Sequence, residues 1–276
     1  DTPEVVEKYG TLFEHIKENW EPIEGAITFD NVSFRYKNTD NNVLTNFNLE
    51  IKAGQMVAFV GETGSGKSTI VNLISRFYEP TEGRILIDGK DYRERSISWL
   101  HANLGYVLQT PQLFSTTIKE NIRYGKLDAT DEEVIAAAKL ANAHNFILEQ
   151  ENGYDTYIGE GGNKLSTGQK QLISFARAVI ANPRILVLDE ATSSIDTENE
   201  KTILEAMQTV LKGRTSLVVA HRLSTIVNAD KIVVLRNGVV VEEGTHRELL
   251  NAKGYYFELY RNQFMQELEQ KLIQDI

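Results

Sequence analysis

The stretch GETGSGKS, residues 61–68, decides the fold of this 276-residue chain. It matches the spacing G-x-x-x-x-G-K-[ST] and lies between an apolar run, residues 56–60, and a helical pattern that continues to about Tyr78. In a strand–turn–helix unit of this kind, backbone N–H groups and the positive end of a helix dipole point at one place. The stretch therefore predicts a phosphate-binding loop, in which Lys67 reaches the β- and γ-phosphates of a nucleotide and the Ser68 hydroxyl ligates Mg²⁺.

A second motif, ILVLDE at residues 185–190, completes this chemistry. Ligands of α/β sheets bind outside the carboxyl ends of the strands, and Asp189 would lie at such an end, where it can hold Mg²⁺ through water. Glu190 follows it and is placed to polarise an attacking water molecule. An apolar run followed by two acidic residues is common by itself. Its occurrence beside a phosphate loop is what favours a role in Mg²⁺ binding and hydrolysis. Together the two motifs predict a Mg²⁺-dependent nucleoside triphosphatase.

Strand and helix signals alternate along much of the chain, which predicts an α/β fold. We expect a P-loop nucleoside triphosphatase core with a mostly parallel sheet, an antiparallel β subdomain near the N-terminus, and an inserted α-helical subdomain over about residues 111–181. Further expected elements are strands at 43–51, 56–60, 185–188, 215–220 and 232–235, helices at 67–78, 131–141, 166–182 and 197–211, and a hairpin turn at Asn237-Gly238.

Composition excludes several classes of protein. The chain carries 29 Lys and Arg against 39 Asp and Glu, a net charge of −10, which disfavours binding to nucleic acid. A hydrophobic content of 41% is too high for a disordered chain. The absence of cysteine excludes disulfides and thiolate chemistry. The sequence also lacks the run of about 18 apolar residues that a membrane-spanning helix needs.

At LSTGQ, residues 165–169, the chain resembles a known family. The stretch is similar to the signature loop L-S-G-G-Q of the ATP-binding cassette of ABC transporters. The resemblance extends over about residues 23–263, and the motifs occur in the order that is typical of that family. It implies that the nucleotide is ATP.

The resemblance also implies roles for side chains outside the phosphate loop. Tyr36 would stack on adenine, with a tyrosine of the strand core as the alternative interpretation. Gln109 would sense Mg²⁺ and the attacking water and contact the membrane domain, and His221 would touch the γ-phosphate. The predicted set comprises the catalytic residues Lys67, Glu190 and His221, the nucleotide-binding residues Tyr36, Gly61, Glu62, Thr63, Gly64, Ser65, Gly66, Lys67, Ser68, Thr69, Gln109, Ser166, Gly168 and Gln169, and the Mg²⁺ ligands Ser68, Gln109 and Asp189.

The signature loop implies a partner. Ser166 and the amides at the start of its helix form a second anion site. In the family this site serves the phosphate loop of another chain, so that ATP is sandwiched in a head-to-tail dimer with a second ABC ATP-binding domain. Thr167 stands where the family usually has glycine, and its Cβ restricts the backbone and crowds the approach to phosphate. We therefore expect one half of a heterodimer with one weakened site, and the alternative is a homodimer that tolerates threonine.

Other features are typical of exporters. Residues 1–22, most clearly 7–20, resemble the tether from a transmembrane domain, with a frayed helix as the alternative, and residues 23–276 would form the ATP-binding domain. Glu160, in a loop before the signature, and the ending GTHRELL at 244–250, followed by a helix over about 255–274, also resemble exporters. The implied partner is a transmembrane domain of the same polypeptide. The implied location is the cytoplasmic side of the plasma membrane.

Two other functions use fewer of the motifs. A soluble ABC-type ATPase acting on nucleic acid or the ribosome would usually carry coiled coils or tandem cassettes, which the sequence lacks. A P-loop kinase would need an acceptor pocket and would have no use for the signature loop. The cargo of an exporter is selected by transmembrane helices, so this chain does not define it.

Overall fold

The computed structural model describes residues 1–11, 13–37, 39–108, 110–189, 197–219 and 226–274, without the side chains of 197–200 and 266–274. The chain forms two compact units, one made of residues 1–101 and 215–276 and the other of residues 102–214. We refer to them as unit 1 and unit 2. None of the described helices combines the length and apolar character needed to cross a membrane.

The elements follow in chain order. The helices are α1 (Pro3–Tyr9), α2 (Lys67–Ile74), α3 (Ile97–Asn103), α4 (Ile118–Arg123), α5 (Asp131–Leu140), α6 (His144–Leu148), α7 (Thr167–Ala181), α8 (Thr197–Leu211), α9 (His246–Ala252) and α10 (Tyr255–Gln274). The strands are β1 (Ile27–Phe34), β2 (Leu44–Ile51), β3 (Met56–Val60), β4 (Glu82–Ile87), β5 (Lys90–Asp91), β6 (Leu104–Val107), β7 (Ile185–Asp189), β8 (Thr215–Val219), β9 (Lys231–Arg236) and β10 (Val239–Gly244).

Unit 1 contains an antiparallel sheet in the order β2-β1-β4-β5. Ile27 of β1 lies opposite Ile51 of β2 on one side and Ile87 of β4 on the other, and all three side chains are completely buried. Alternate residues of a strand point to one face, so this register collects the apolar side chains in the core. The sheet confirms the predicted antiparallel β subdomain.

The phosphate loop follows a strand of the second sheet in unit 1. There β3 pairs in parallel with β8 on one side and with β9 on the other, and β9 turns back into antiparallel β10. Asn237 and Gly238 both adopt positive φ, 51° and 77°, as a two-residue hairpin turn requires. These strands confirm the predicted parallel core and its hairpin.

Helix α2 is shorter than predicted. The pattern favours a helix to about Tyr78, but α2 ends at Ile74. Arg76 takes a left-handed conformation with φ 54°, and the Phe77 amide donates to the Asn72 carbonyl at 3.0 Å, as in a Schellman motif. The Arg76 guanidinium donates to the carbonyls of Tyr92 and Arg95, so tertiary contacts stabilise this end.

Unit 2 contains the parallel pair β6–β7 and a set of packed helices. Leu104 lies opposite Ile185 in the pair. Helix α7 contacts α4, α5 and α8, and its Ile173 and Phe175 side chains are buried. A capping box of Thr130 and Glu133 starts α5. Both α5 and α7 begin where the sequence predicts, because the capping residues are local signals.

The first residues of the chain pack against the rest of unit 1. Val5 and Tyr9 of α1 are buried. The Glu21 carboxylate accepts hydrogen bonds from Arg95 Nε at 2.8 Å and from Lys8 Nζ at 3.2 Å. The tether to another domain that residues 1–22 resemble stays a prediction. Within unit 1, the ionic cluster of Lys8, Glu21 and Arg95 holds these residues in place.

This cluster predicts a pH dependence of stability. Hydrogen bonding from Arg95 lowers the pKa of Glu21 from 4.5 to about 2, with Lys8 and Lys90 adding to the effect. A lowered folded-state pKa stabilises the fold above the unfolded value, and that stabilisation is lost as the pH falls toward the folded value. Glu21→Gln should lower the free energy of unfolding at pH 7 by on the order of 1 kcal/mol, because the side chain is partly exposed and solvent screens it.

The measurement is urea unfolding of wild type and variant from pH 7 to pH 2. The difference between them should stay constant above about pH 5 and shrink from pH 4.5 toward pH 2. Glu24→Gln is the control, since its exposed side chain makes no ion pair with any described residue. A difference that does not change with pH would contradict the assignment.

Candidate nucleotide-binding site

The phosphate loop joins β3 to α2 within unit 1. Gly66 is the N-cap of α2 with φ 107°, a backbone conformation that residues other than glycine rarely adopt. No side chain caps the helix there. At Gly61, a Cβ would collide with the carbonyl oxygen of Leu235. The loop is thus packed tightly on its outer side, while the N-terminal amides of α2 lack the side-chain cap that usually satisfies them.

Three side chains of the loop fit a triphosphate. Lys67 is 7% exposed, and its ammonium donates to the carbonyls of Gly61 at 2.7 Å and Glu62 at 2.9 Å, which hold the charge at the loop. The Ser65 hydroxyl is buried with no hydrogen-bond partner among the described residues. The Ser68 side chain is exposed. A cation, an unpaired hydroxyl and an accessible hydroxyl beside a helix N-terminus suit phosphate oxygens and their metal ion.

Contacts that the sequence does not reveal stabilise the loop from the β9–β10 hairpin. The Gly238 amide donates to the Ser65 carbonyl at 3.1 Å. The Asn237-Gly238 turn itself is a local signal, but its contact with a loop so distant in the chain depends on the sheet order. Sequence reasoning therefore missed Gly238 and Leu235 as supports of the site.

Tyr36 contacts the first turn of α2, directly after the phosphate loop. Its hydroxyl is 3.1 Å from Thr69 Oγ1, and its half-buried ring meets Phe34 and Tyr78 edge to face, with centroids 4.9 and 5.1 Å away. The structure thus brings Tyr36 and residues 61–69 together in unit 1. Stacking of this ring on adenine stays a prediction.

The signature loop lies in unit 2 at the start of α7. The Ser166 hydroxyl accepts from the Gln169 amide at 3.2 Å, and the Gln169 side chain accepts from the Ser166 amide at 3.0 Å. This capping box confirms Ser166 as the helix N-cap. Ser166 is exposed and Gly168 is buried. The hydroxyl proton of Ser166 can still be donated, because a serine hydroxyl is both acceptor and donor.

The structure corrects one part of the argument on Thr167. Thr167 is the first residue of α7, has helical geometry and is not among the residues with positive φ. A β-branched residue adopts this conformation without strain, so the expected backbone restriction is wrong. The side chain is exposed, and its crowding of an approaching phosphate stays a prediction.

Asp189 ends β7 in unit 2 and is half-buried. Tyr106 lies on the neighbouring strand, and burial raises its pKa to about 12, with the Asp189 carboxylate adding to the rise. Among the described residues, no group of three or more His, Cys, Asp or Glu side chains could hold a metal ion.

The other predicted site residues, Gln109, Glu190 and His221, lie outside the described part of the chain. Their roles remain predictions.

The fold and the loop define a nucleotide-binding α/β domain, and comparison with known proteins identifies its family. A model of the ABC transporter family matches residues 44–193, more than half of the chain. The chain therefore belongs to the ABC transporter family. It corresponds to the ATP-binding domain of these transporters, which is an ABC-type ATPase. This confirms the resemblance at residues 165–169 and identifies ATP as the nucleotide.

The relatives include transport proteins of bacteria. The chain is 54% identical over 245 residues to YfiC of Bacillus subtilis (strain 168), an uncharacterized ABC transporter ATP-binding protein, covering 88% of the chain and 40% of the relative. It is 54% identical over 243 residues to a Staphylococcus aureus (strain NCTC 8325 / PS 47) protein provisionally named as a multidrug export ATP-binding/permease protein, covering 87% and 42%. A solved bacterial Atm1-family ABC exporter with ATP bound matches with a TM-score of 0.80 and 47% identity, covering 87% of this chain and 42% of that one.

The chain thus spans about two fifths of the length of these relatives. The activities of these relatives therefore belong to polypeptides that are longer than this chain.

Proposed function

We propose that this chain is the ATP-hydrolysing motor domain of an exporter, with Mg²⁺ as its cofactor and a transmembrane domain on the same polypeptide. The observation that carries the ATPase part is the uncapped N-terminus of α2 with the Lys67 ammonium held beside it. The export part is supported by the Staphylococcus aureus relative, which is named as both ATP-binding protein and permease, and by the Atm1-family exporter. These relatives favour export over an action on nucleic acid or the ribosome.

The residues divide the chemistry among them. Lys67 and the amides of α2 bind the β- and γ-phosphates and stabilise charge as it develops on the transferred group. Ser68, Asp189 and Gln109 are the proposed ligands of Mg²⁺, which neutralises phosphate charge when bound. Glu190 orients the attacking water and accepts its proton, and His221 donates to the γ-phosphate.

The domain works as one half of a head-to-tail dimer on the cytoplasmic side of the plasma membrane. ATP would lie between the phosphate loop of one chain and the signature loop of a second ABC ATP-binding domain. The exposed Ser166 at the capped start of α7 supports this arrangement, since its hydroxyl can donate to a phosphate oxygen of the partner's nucleotide. Closure of the dimer on ATP and its release after hydrolysis would drive the attached transmembrane domain.

The partner is a different half-transporter in this proposal. This chain's catalytic residues are intact, whereas Thr167 crowds the site that its signature would serve. The alternative is a homodimer whose signature loop tolerates threonine at position 167.

A mixing experiment tests the shared site. Lys67→Ala should inactivate the phosphate loop, and Ser166→Asp should place a negative charge opposite phosphate while keeping a good N-cap. Each variant alone should hydrolyse ATP poorly at high protein concentration. Mixed, they should regain activity, because one intact loop then meets one intact signature. A mixture no more active than its components would contradict a site shared between two copies of this chain.

The same mixture tests the crowding at Thr167. The Lys67→Ala chain supplies the signature for the one competent site, so adding Thr167→Gly to that chain should raise the recovered activity. Adding Thr167→Gly to the Ser166→Asp chain is the matched control and should change nothing. Equal rates in all mixtures would remove the support for a heterodimer.

A further inference from the structure

The turn between β9 and β10 lies against the phosphate loop in unit 1. The Gly238 amide donates to the Ser65 carbonyl at 3.1 Å. The Gly238 Cα also packs closely against the start of β2, where a Cβ would collide with the carbonyl oxygen of Val43 and lie 3.3 Å from Leu44 Cα. These atoms belong to the backbone, so no side-chain movement would relieve the collision. Position 238 therefore requires glycine for this contact.

The contact sets the direction of one amide of the phosphate loop. In a trans peptide unit the carbonyl oxygen and the next N–H point in opposite directions, and the described residues contain no cis peptide bond. Because the Ser65 carbonyl is bonded to the hairpin, the Gly66 N–H points away from the hairpin. Gly66 is the N-cap of α2, and its amide donates to no described residue. This amide is thus available to a phosphate oxygen, together with the first amides of α2.

Without a partner for its carbonyl, the Ser65–Gly66 peptide would be easy to turn over. Gly66 has φ 107° and no Cβ, so its backbone resists such rotation less than that of other residues. ATP would then have to select one orientation from several, which reduces its apparent affinity. The Gly238 amide fixes the orientation before ATP arrives, and a preorganised donor binds more tightly because less conformational entropy is lost.

We propose that Gly238 is a positioning residue for ATP binding: its amide holds the Ser65 carbonyl at the hairpin and so directs the Gly66 amide at the phosphates. The inference rests on ATP binding at the phosphate loop, as in the proposed function. It assigns a turn that is distant in the chain a part in phosphate binding.

The chain offers a matched pair of glycines for the test. Gly89, in the turn between β4 and β5, has φ 76° against 77° for Gly238, and the residues before them have φ 50° and 51°. A Cβ at Gly89 would meet no atom within 4 Å. Gly238→Ala and Gly89→Ala therefore impose similar backbone strain, but only Gly238→Ala displaces its turn from the phosphate loop.

Calorimetry on the complete chain measures the dissociation constants of ATP and of tripolyphosphate. Gly238→Ala should weaken both about three- to tenfold, the range that one hydrogen bond is worth. Gly89→Ala should change neither by more than about twofold. The tripolyphosphate measurement separates the phosphate loop from the adenine side, which Val43 could disturb through the nearby Tyr36.

Three results would overturn the proposal. A loss of affinity for ATP without a loss for tripolyphosphate would place the effect on the adenine side. Equal losses in the two alanine variants would assign it to strain within a turn. Fewer binding sites with unchanged dissociation constants would show that Gly238 serves only the fold, because the folded fraction would then bind as wild type does.

Hydrogen exchange of the wild-type chain tests the same contact without a substitution, and it decides the question if Gly238→Ala does not fold. Coupling is reciprocal, so a contact that tightens ATP binding is itself stabilised by ATP to the same degree. Saturating ATP should slow exchange of the Gly238 amide about three- to tenfold and that of the Gly89 amide less than about twofold. Unchanged exchange at Gly238 would overturn the proposal. Failure of the wild-type chain to bind ATP would instead count against the proposed function.

Discussion

Glu190→Gln is expected to lower the rate of ATP hydrolysis by about 10²–10⁴-fold while ATP still binds. Glutamine has nearly the same shape as glutamate but cannot accept a proton from the attacking water. In the sequence the residue directly follows Asp189, which ends the parallel strand β7. Catalytic groups of α/β proteins concentrate at such ends. The substitution therefore removes the proposed general base and leaves the phosphate loop intact.

Phosphate release measures the rate, and a fluorescent ATP analogue measures binding. Glu132→Gln is the control, because this exposed residue of α5 forms no ion pair with any described residue and should leave both quantities unchanged. An unaltered hydrolysis rate would show that another group activates the water. A large loss of ATP affinity would show that Glu190 serves binding instead of chemistry.

Lys67→Ala is expected to weaken ATP binding by about ten- to hundredfold, the worth of a hydrogen bond to a charged group at about 1.5–3 kcal/mol. The ammonium is almost buried and bonded to two carbonyls of its own loop. It is thus already held where phosphate would bind, and little conformational entropy is lost when ATP arrives.

A second variant separates loss of charge from loss of packing. Lys67→Met keeps the apolar stem of the side chain without the ammonium, and we expect a similar loss of affinity. Lys52→Ala is the control, since Lys52 is exposed and lies away from the loop in the sequence. Normal affinity in the methionine variant together with a loss in the alanine variant would assign the effect to packing.

The elements that the sequence predicts well are those with local causes. The acidic first turn from Asp131 and the N-cap Ser166 indicate the starts of two helices, and the Asn237-Gly238 pair predicts a turn that requires positive φ. The end of α2 was mispredicted because it depends on Arg76, whose guanidinium is bonded to carbonyls that lie later in the chain. The expected backbone restriction at Thr167 is wrong because the position lies in the ordinary first turn of a helix, where a Cβ causes no strain.

By itself the sequence determined the class of chemistry. The spacing of residues 61–68 predicts a phosphate loop wherever a strand and a helix flank it, because glycine conformation, helix dipole and a lysine at fixed spacing are local properties. Only the tertiary structure decided what supports that loop. The contacts of Gly238 with Ser65 and of Leu235 with Gly61 join residues that are distant in the chain. Such contacts arise from strand order and from the packing of buried surfaces, which no local pattern encodes.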